Sequence, residues 1–162
     1  VAIFAIGFRM QQASYSTAQM MLHGFAALMG LSFATIFVVY TGASIVTAFL
    51  GAAILFLTMS IYGYVTKKDL SSIGQLMFVG LIAIVIASVI NIFIGSSVMQ
   101  MVISALAIII FMGLTAYDTQ KIRQIVSVGG DTRVAEVQGA LTLYLDFINL
   151  FIHLLQLFGN RK

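Results

Sequence analysis

The chain has no cysteine and no proline, and it is poor in charge. Without cysteine there is no disulfide, and nothing in the sequence reports the redox compartment. Without proline, any break in a helix has to come from glycine or from a loop. Charged residues make up 8% of the 162 residues and hydrophobic residues 61%, whereas soluble domains carry about a quarter charged residues. So few polar groups cannot cover a surface in water, which excludes a soluble globular domain and points to an integral membrane protein. The chain opens at Val1 inside an apolar run, with neither a methionine nor a basic n-region. A signal peptide does not begin this way; the expectation is an N-terminus further upstream.

What is present is a series of apolar runs with short polar punctuation. Residues 1 to about 8 read as the end of a helix, closed by Arg9 and "MQQASYS". Runs at about 17–40, 44–65, 73–95, 98–118 and 136–158 follow. Each approaches the ~20 residues a helix needs to cross the hydrocarbon core. The predicted architecture is therefore an all-α polytopic membrane helical bundle, a single transmembrane domain over 1–162. It has five full spans and a remnant, without repeats or a soluble domain. Arg9, Lys67, Lys68, Lys121, Arg123 and Arg133 fall in alternate loops, hence on one side, while "YTGAS" and "GSSVMQ" opposite carry no charge. The positive-inside rule makes the charged side cytoplasmic. Arg161 and Lys162 are discordant if the last helix crosses fully; a re-entrant last helix would remove the conflict.

The last span, "GALTLYLDFINLFIHLLQLFG", carries a carboxylate near its centre. At 100° per residue, Gln138, Thr142, Asp146, Asn149, His153 and Gln156 share an arc of roughly 80°, and the other faces are almost wholly Leu, Ile and Phe. A charge facing lipid at mid-helix costs about 2.5–3.5 kcal/mol on insertion scales, so this stripe is expected to face the bundle interior or a wet cavity. Interhelical hydrogen bonding would account for Asn149 and Gln156. It does not account for Asp146, because an amide would hold helices together without the charge.

On the fifth span Gln100, Ser104, Thr115 and Asp118 lie within about 60°, with Ala107 and Phe111 on the same face. Asp118, in "LTAYDTQK", opposes the helix dipole at a C-terminal end, and the following helix starts on the same side. The sequence thus permits an Asp118–Asp146 pair. His23 lies with Gln12, Ser16, Gln19, Ala27, Gly30 and Ala34 along one helical face and reads as a packed or hydrogen-bonded histidine, and Ala26, Gly30 and Ala34 give a small-residue stripe that signals close packing. The nine methionines read as packing, and Asp69 as a cap for the following helix. No zinc signature, phosphate loop, nucleophile elbow or dinucleotide fingerprint is present, so the chain is read as no enzyme, without a cofactor and without a nucleic-acid partner.

"SIYGYVTKKDLSSIGQLMF" at 60–78, "GLTAYDTQKI" at 113–122 and "LTLYLDFINLFIHLLQLFGNR" at 141–161 resemble the Bax inhibitor family, the transmembrane Bax-inhibitor-motif proteins, and most closely its bacterial inner-membrane members. The resemblance covers essentially the whole chain. It implies a seven-helix fold of which this chain matches the end of the second helix through the seventh, and a multi-pass location in the bacterial inner membrane. It implies a pH-sensitive calcium leak whose sensor aspartates correspond to Asp118 and Asp146, which would also meet the calcium ion. A basic latch is implied at the end of the second helix; Gln12 stands at that position and Arg9 one turn earlier on the same face, so Arg9 is the candidate latch. Many members have arginine where Gln156 stands here, so an ion pair made there is not expected in this chain.

Physically, two carboxylates close together in a low-dielectric site cannot both ionise cheaply. They can share a proton, accept an arginine, or offer oxygens to calcium. The alternative function is a membrane-embedded regulatory protein that modulates a membrane protease or another membrane complex without ion flux. An intramembrane aspartyl protease also uses two aspartates, but "LYLDF" lacks the glycine-flanked GxGD motif. Besides the lipid bilayer, the partners expected are calcium and such a membrane protein.

Overall fold

The computed structural model describes residues 14–129 and 131–162; Arg9 and Gln12 lie outside them. Five helices, α1 (Tyr15–Val39), α2 (Gly42–Val65), α3 (Ser71–Ile94), α4 (Ser97–Val128) and α5 (Arg133–Phe158), account for nearly all of it. No strand occurs among the described residues. Every helix is long and apolar enough to cross a membrane. The chain forms an all-α membrane helical bundle.

Hydroxyls start three of the helices. Ser14, Thr41 and Ser96 each accept a hydrogen bond from a backbone N–H three residues on, which satisfies one of the orphan donors at a helix N-terminus. Asp69 serves α3 from just outside, accepting from Ser71 N at 2.9 Å and Ser71 Oγ at 2.6 Å. Gly95 ends α3 with φ at 68°, the left-handed conformation that glycine adopts without a Cβ penalty.

α4 and α5 are the central pair. α4 packs against α2, α3 and α5, and α5 against α1, α2 and α4. The main core gathers Ala48 and Ala52 of α2, Ile84 of α3, Ala107, Phe111 and Leu114 of α4, and Leu150, Phe151 and Leu155 of α5. A smaller cluster of Ala18, Phe25, Val137 and Leu141 fastens α1 to α5. Between membrane helices the drive is close packing and not exclusion from water, and Gly63 shows it. A Cβ added there would collide with the Ala116 backbone, so α2 and α4 approach at a distance only glycine allows.

α1 is the loosest element. Only Ala18 and Phe25 are buried along it. Gly30 has no neighbour within 4 Å of where a Cβ would sit, and Ala34 is exposed. The expectation that Ala26, Gly30 and Ala34 close-pack is therefore not met among the described residues, where Ala26 is half-buried and Gly30 and Ala34 are exposed. His23 is exposed too, and its Nδ1 bonds the Gln19 carbonyl at 2.7 Å on its own helix.

α4 runs past the apolar span that ends near 118 and continues to Val128. At 1.5 Å per residue it is about 48 Å long, against a hydrocarbon core of about 30 Å. The projecting turns hold the α2–α3 loop. Buried Gln120 accepts from Leu70 N at 3.0 Å and donates to the Lys68 carbonyl at 2.8 Å. Arg123 donates to the Tyr64 carbonyl and lies over the Tyr64 ring.

α5 is one continuous helix. It begins beside the start of α1, where Arg133 lies over the Tyr15 ring, and ends beside the α1–α2 turn. There Thr41 N bonds the Asn160 carbonyl at 3.1 Å and Lys162 N bonds the Val39 carbonyl at 2.8 Å. α5 thus has no re-entrant turn, and Arg161 and Lys162 sit at the end opposite the other lysines and arginines of the described residues.

Candidate functional site

The site lies on the α4–α5 seam. The helices are antiparallel, joined by residues 129–132, and their register can be followed rung by rung. Nearest the loop, Gly139 packs on the Ile122 side chain. Next, Asp118 of α4 and Asp146 of α5 fall on facing turns, each seven residues from the Phe111–His153 rung. Two turns further, Phe111 stacks on the His153 ring with centroids 6.3 Å apart. At the far end Ser104 donates to Gln156 Oε1 at 3.1 Å. Asp118 and Phe111 are separated on α4 as Asp146 and His153 are on α5, so one register serves both rungs.

Counting Asp146 about ten residues in from a helix start, with α4 ending at Asp118, leaves Asp146 deeper than its partner. The continuation of α4 to Val128 removes the mismatch. With α4 continuing beyond its apolar span, Asp118 is carried inward to the level of Asp146 on the facing helix.

Asp146 is 3% exposed, and Asp118 is half-buried. Asp146 Oδ2 is buried without a hydrogen-bond partner, as are Gln138 Nε2 and His153 Nδ1 on the same helix and Ser60 Oγ on α2. Lys121, on the next turn of α4, is the cation that acts on Asp118; its ammonium is 6.0 Å from the Tyr117 ring centroid. Neither aspartate is in a salt bridge among the described residues. The one present joins Arg133 to Asp131 at 2.9 Å, in the loop before α5. There the Arg133 guanidinium, donating to the carboxylate, holds Asp131 down at about 2. Asp69 is likewise held below the usual carboxylate range by the Ser71 hydroxyl and N–H.

The rest of the α5 stripe divides. Thr142 Oγ1 donates to the Gln138 carbonyl at 3.0 Å and Asn149 Nδ2 to the Leu145 carbonyl at 2.8 Å, so both satisfy their own helix and Asn149 is no interhelical tie. Gln156 is one. Its Oε1 accepts from Gln100 Nε2 at 3.0 Å as well as from Ser104. Asn91 of α3 extends this cluster, donating to Gln100 Oε1 at 3.3 Å. Asn91, Ser60 and Gln120 escaped the sequence reading. An amide inside the apolar "VINIF" was a signal of the same kind as those used on α5. Gln120 gave none, because its burial depends on α4 outrunning its apolar span.

No group of three or more histidine, aspartate or glutamate side chains able to hold a metal ion occurs among the described residues. The Asp118–Asp146 pair can offer carboxylate oxygens to a passing cation. Calcium takes 6–8 oxygen ligands, so most of its shell there would remain water or backbone.

The family model described as "Inhibitor of apoptosis-promoting Bax1" matches residues 1–162. The chain belongs to the Bax inhibitor family. It is 42% identical over 165 residues to the inner membrane protein YbhL of Escherichia coli (strain K12), covering 99% of this chain and 70% of YbhL. It is 41% identical over 162 residues to protein RP147 of Rickettsia prowazekii, covering 98% of this chain and 68% of that one. It is 46% identical over 141 residues to the membrane protein SpyM3_0260 of Streptococcus pyogenes, covering 84% of this chain and 60% of that one. The family, with the five apolar helices, makes this a multi-pass protein of the bacterial inner membrane.

Proposed function

We propose that this protein is a pH-sensitive calcium leak in which the Asp118–Asp146 pair is both proton sensor and ion contact. The observation that supports this reading is the placement of two carboxyls on facing turns of α4 and α5 inside a membrane bundle, set by the Phe111–His153 rung two turns away, with one oxygen of Asp146 buried and unpartnered. A pair that only tied helices together would do so better as amides, without the cost of a charge in the membrane. With one proton shared, the pair is compact and singly charged. When that proton is lost, two like charges in a low-dielectric seam repel. α4 and α5 then separate, or a cation enters between them. Calcium is suited to the second outcome because it accepts carboxylate oxygens in flexible geometry. Proton and calcium thus compete for the same oxygens. Arg9 is the proposed latch, a cation able to occupy Asp118 in the closed state.

The test is calcium flux into proteoliposomes of the purified full-length protein over about pH 5 to 8. Flux that changes with pH supports the leak. Specific capture of a membrane protease or another membrane complex, with no flux at any pH, would establish the regulatory reading in its place.

A further inference from the structure

Away from the carboxyl pair, a groove of about 350 Å³ runs between α1, α2 and α5, a volume at the lower end of the roughly 300–1,000 Å³ of small-molecule sites. Its wall is wholly apolar, with Phe33 and Phe37 from α1, Phe49 and Leu50 from α2, and Phe147 and Phe151 from α5. At its mouth stand two cations. Lys162 Nζ donates to the carbonyl of Phe37 at 2.8 Å, and Phe37 is itself part of the wall. The Arg161 guanidinium lies 5.9 Å from the Tyr40 ring centroid, beside the turn that joins α1 to α2. Both keep N–H donors to spare after these contacts. The acidic side chains of the chain are Asp69, Asp118, Asp131, Glu136 and Asp146, and none of them lies at this end of the bundle. These cations also stand opposite to where the positive-inside rule puts them.

We propose that this groove seats a phospholipid with an anionic headgroup, one acyl chain against the phenylalanines and the phosphate at Arg161 and Lys162. The mouth lies at a helix end, where the headgroup layer of the bilayer begins, and the groove continues from it towards mid-membrane. A zwitterionic lipid fits the groove equally well but brings no net charge to answer the two cations. An anionic one answers both, at about fivefold in affinity per cation near such a surface.

The experiment is native mass spectrometry and thermal melting of the full-length protein with phosphatidylglycerol or phosphatidylcholine. The parent is expected to retain phosphatidylglycerol with roughly tenfold to thirtyfold preference and to melt higher in it. The double variant Arg161→Gln/Lys162→Gln should lose that preference and still fold, since the backbone bonds of this segment to the α1–α2 turn, Thr41 N to the Asn160 carbonyl and Lys162 N to the Val39 carbonyl, are kept. Leu50→Trp, which fills the groove and leaves the cations in place, should reduce retention of both lipids. Equal retention of the two lipids by the parent would overturn the proposal. So would a preference that survives the double variant, or retention unchanged by Leu50→Trp, as expected if an upstream segment of the chain fills the groove.

Discussion

At the far end of the α4–α5 seam, Asn91, Gln100, Ser104 and Gln156 form a neutral cluster whose donors and acceptors answer one another. Asn91 also accepts from Ser96 N at 3.1 Å, which ties in the α3–α4 turn. Towards the other end of the same seam, Asp118 and Asp146 are ionisable and leave a buried oxygen without a partner. Both clusters are polar groups within membrane-spanning helices, and both lie between α4 and α5. They differ in what a change of pH can do to them. An amide cluster has one protonation state, so it can only hold. A carboxyl pair has several, so it can hold in one and repel in another. In a buried network a group left unsatisfied is costly, and its persistence calls for a task beyond cohesion.

The sharpest way to break this comparison is Asp146→Asn. Asparagine has nearly the same size and still hydrogen-bonds, but it cannot ionise. If the pair is the sensor, calcium flux should lose most of its pH response while the melting temperature stays level or rises, because a buried charge has gone. Histidine ordinarily changes charge between about pH 5 and 8, so His153→Gln and His23→Gln are the matching controls and should leave the response in place. Parallel pH profiles for the parent and Asp146→Asn would reduce Asp146 to structure.

Much of this contrast was legible in the sequence, for a physical reason. In a membrane, a polar residue among apolar ones is expensive, so Asp146 and Gln156 announced themselves by type and helical phase alone. The five crossings were readable because apolar run length maps onto bilayer thickness. Partnership was not readable. Asn149 and Gln156 share one face, yet one bonds its own helix and the other bridges to α4, a choice made by what faces each of them. Ala26, Gly30 and Ala34 have the spacing of a packed stripe, but spacing does not name a neighbour. The depth of Asp118 relative to Asp146 depended on α4 continuing as a helix beyond its apolar residues, which hydropathy does not record.

The complementary change is Gln156→Leu, which should act on the neutral cluster alone. It removes the acceptor shared by Gln100 Nε2 and Ser104 Oγ and leaves them only their long 3.5 Å bond to each other, and under-satisfied buried polar groups cost about 1–3 kcal/mol. Thermal or denaturant melts should show that loss, with a calcium pH profile parallel to that of the parent. A flattened pH profile would mean that the two clusters are coupled along the seam.

Gln120→Ala extends the test to a satisfied amide at the carboxyl end. It frees the buried Leu70 N and the part-buried Lys68 carbonyl, and the space left by the shorter side chain at the loop end of α4 admits a water that can replace part of the lost bonding. The expected cost is about 1 kcal/mol, seen as faster amide exchange over residues 66–70. The pH response of the flux should persist, because the pair itself is untouched.

The smallest effect belongs to Asp131, a carboxylate that is charged, exposed and fully answered. Its low value of about 2 arises first from the hydrogen bonds donated by Arg133, and its ordinary value is 3.8. A carboxyl depressed on folding contributes stability above its unfolded value and loses that contribution as pH falls through the folded one. Any benefit is therefore complete at neutral pH and disappears only between about 4 and 2, well below the range proposed for gating. Solvent screens an exposed pair of this kind, so Asp131→Asn should shift the melting temperature at pH 7 only marginally, and the gap between variant and parent should close as pH falls towards 2. Calcium flux in the variant should follow the parent curve throughout. A displaced flux curve would show that the α4–α5 loop, and not the buried pair alone, senses the proton.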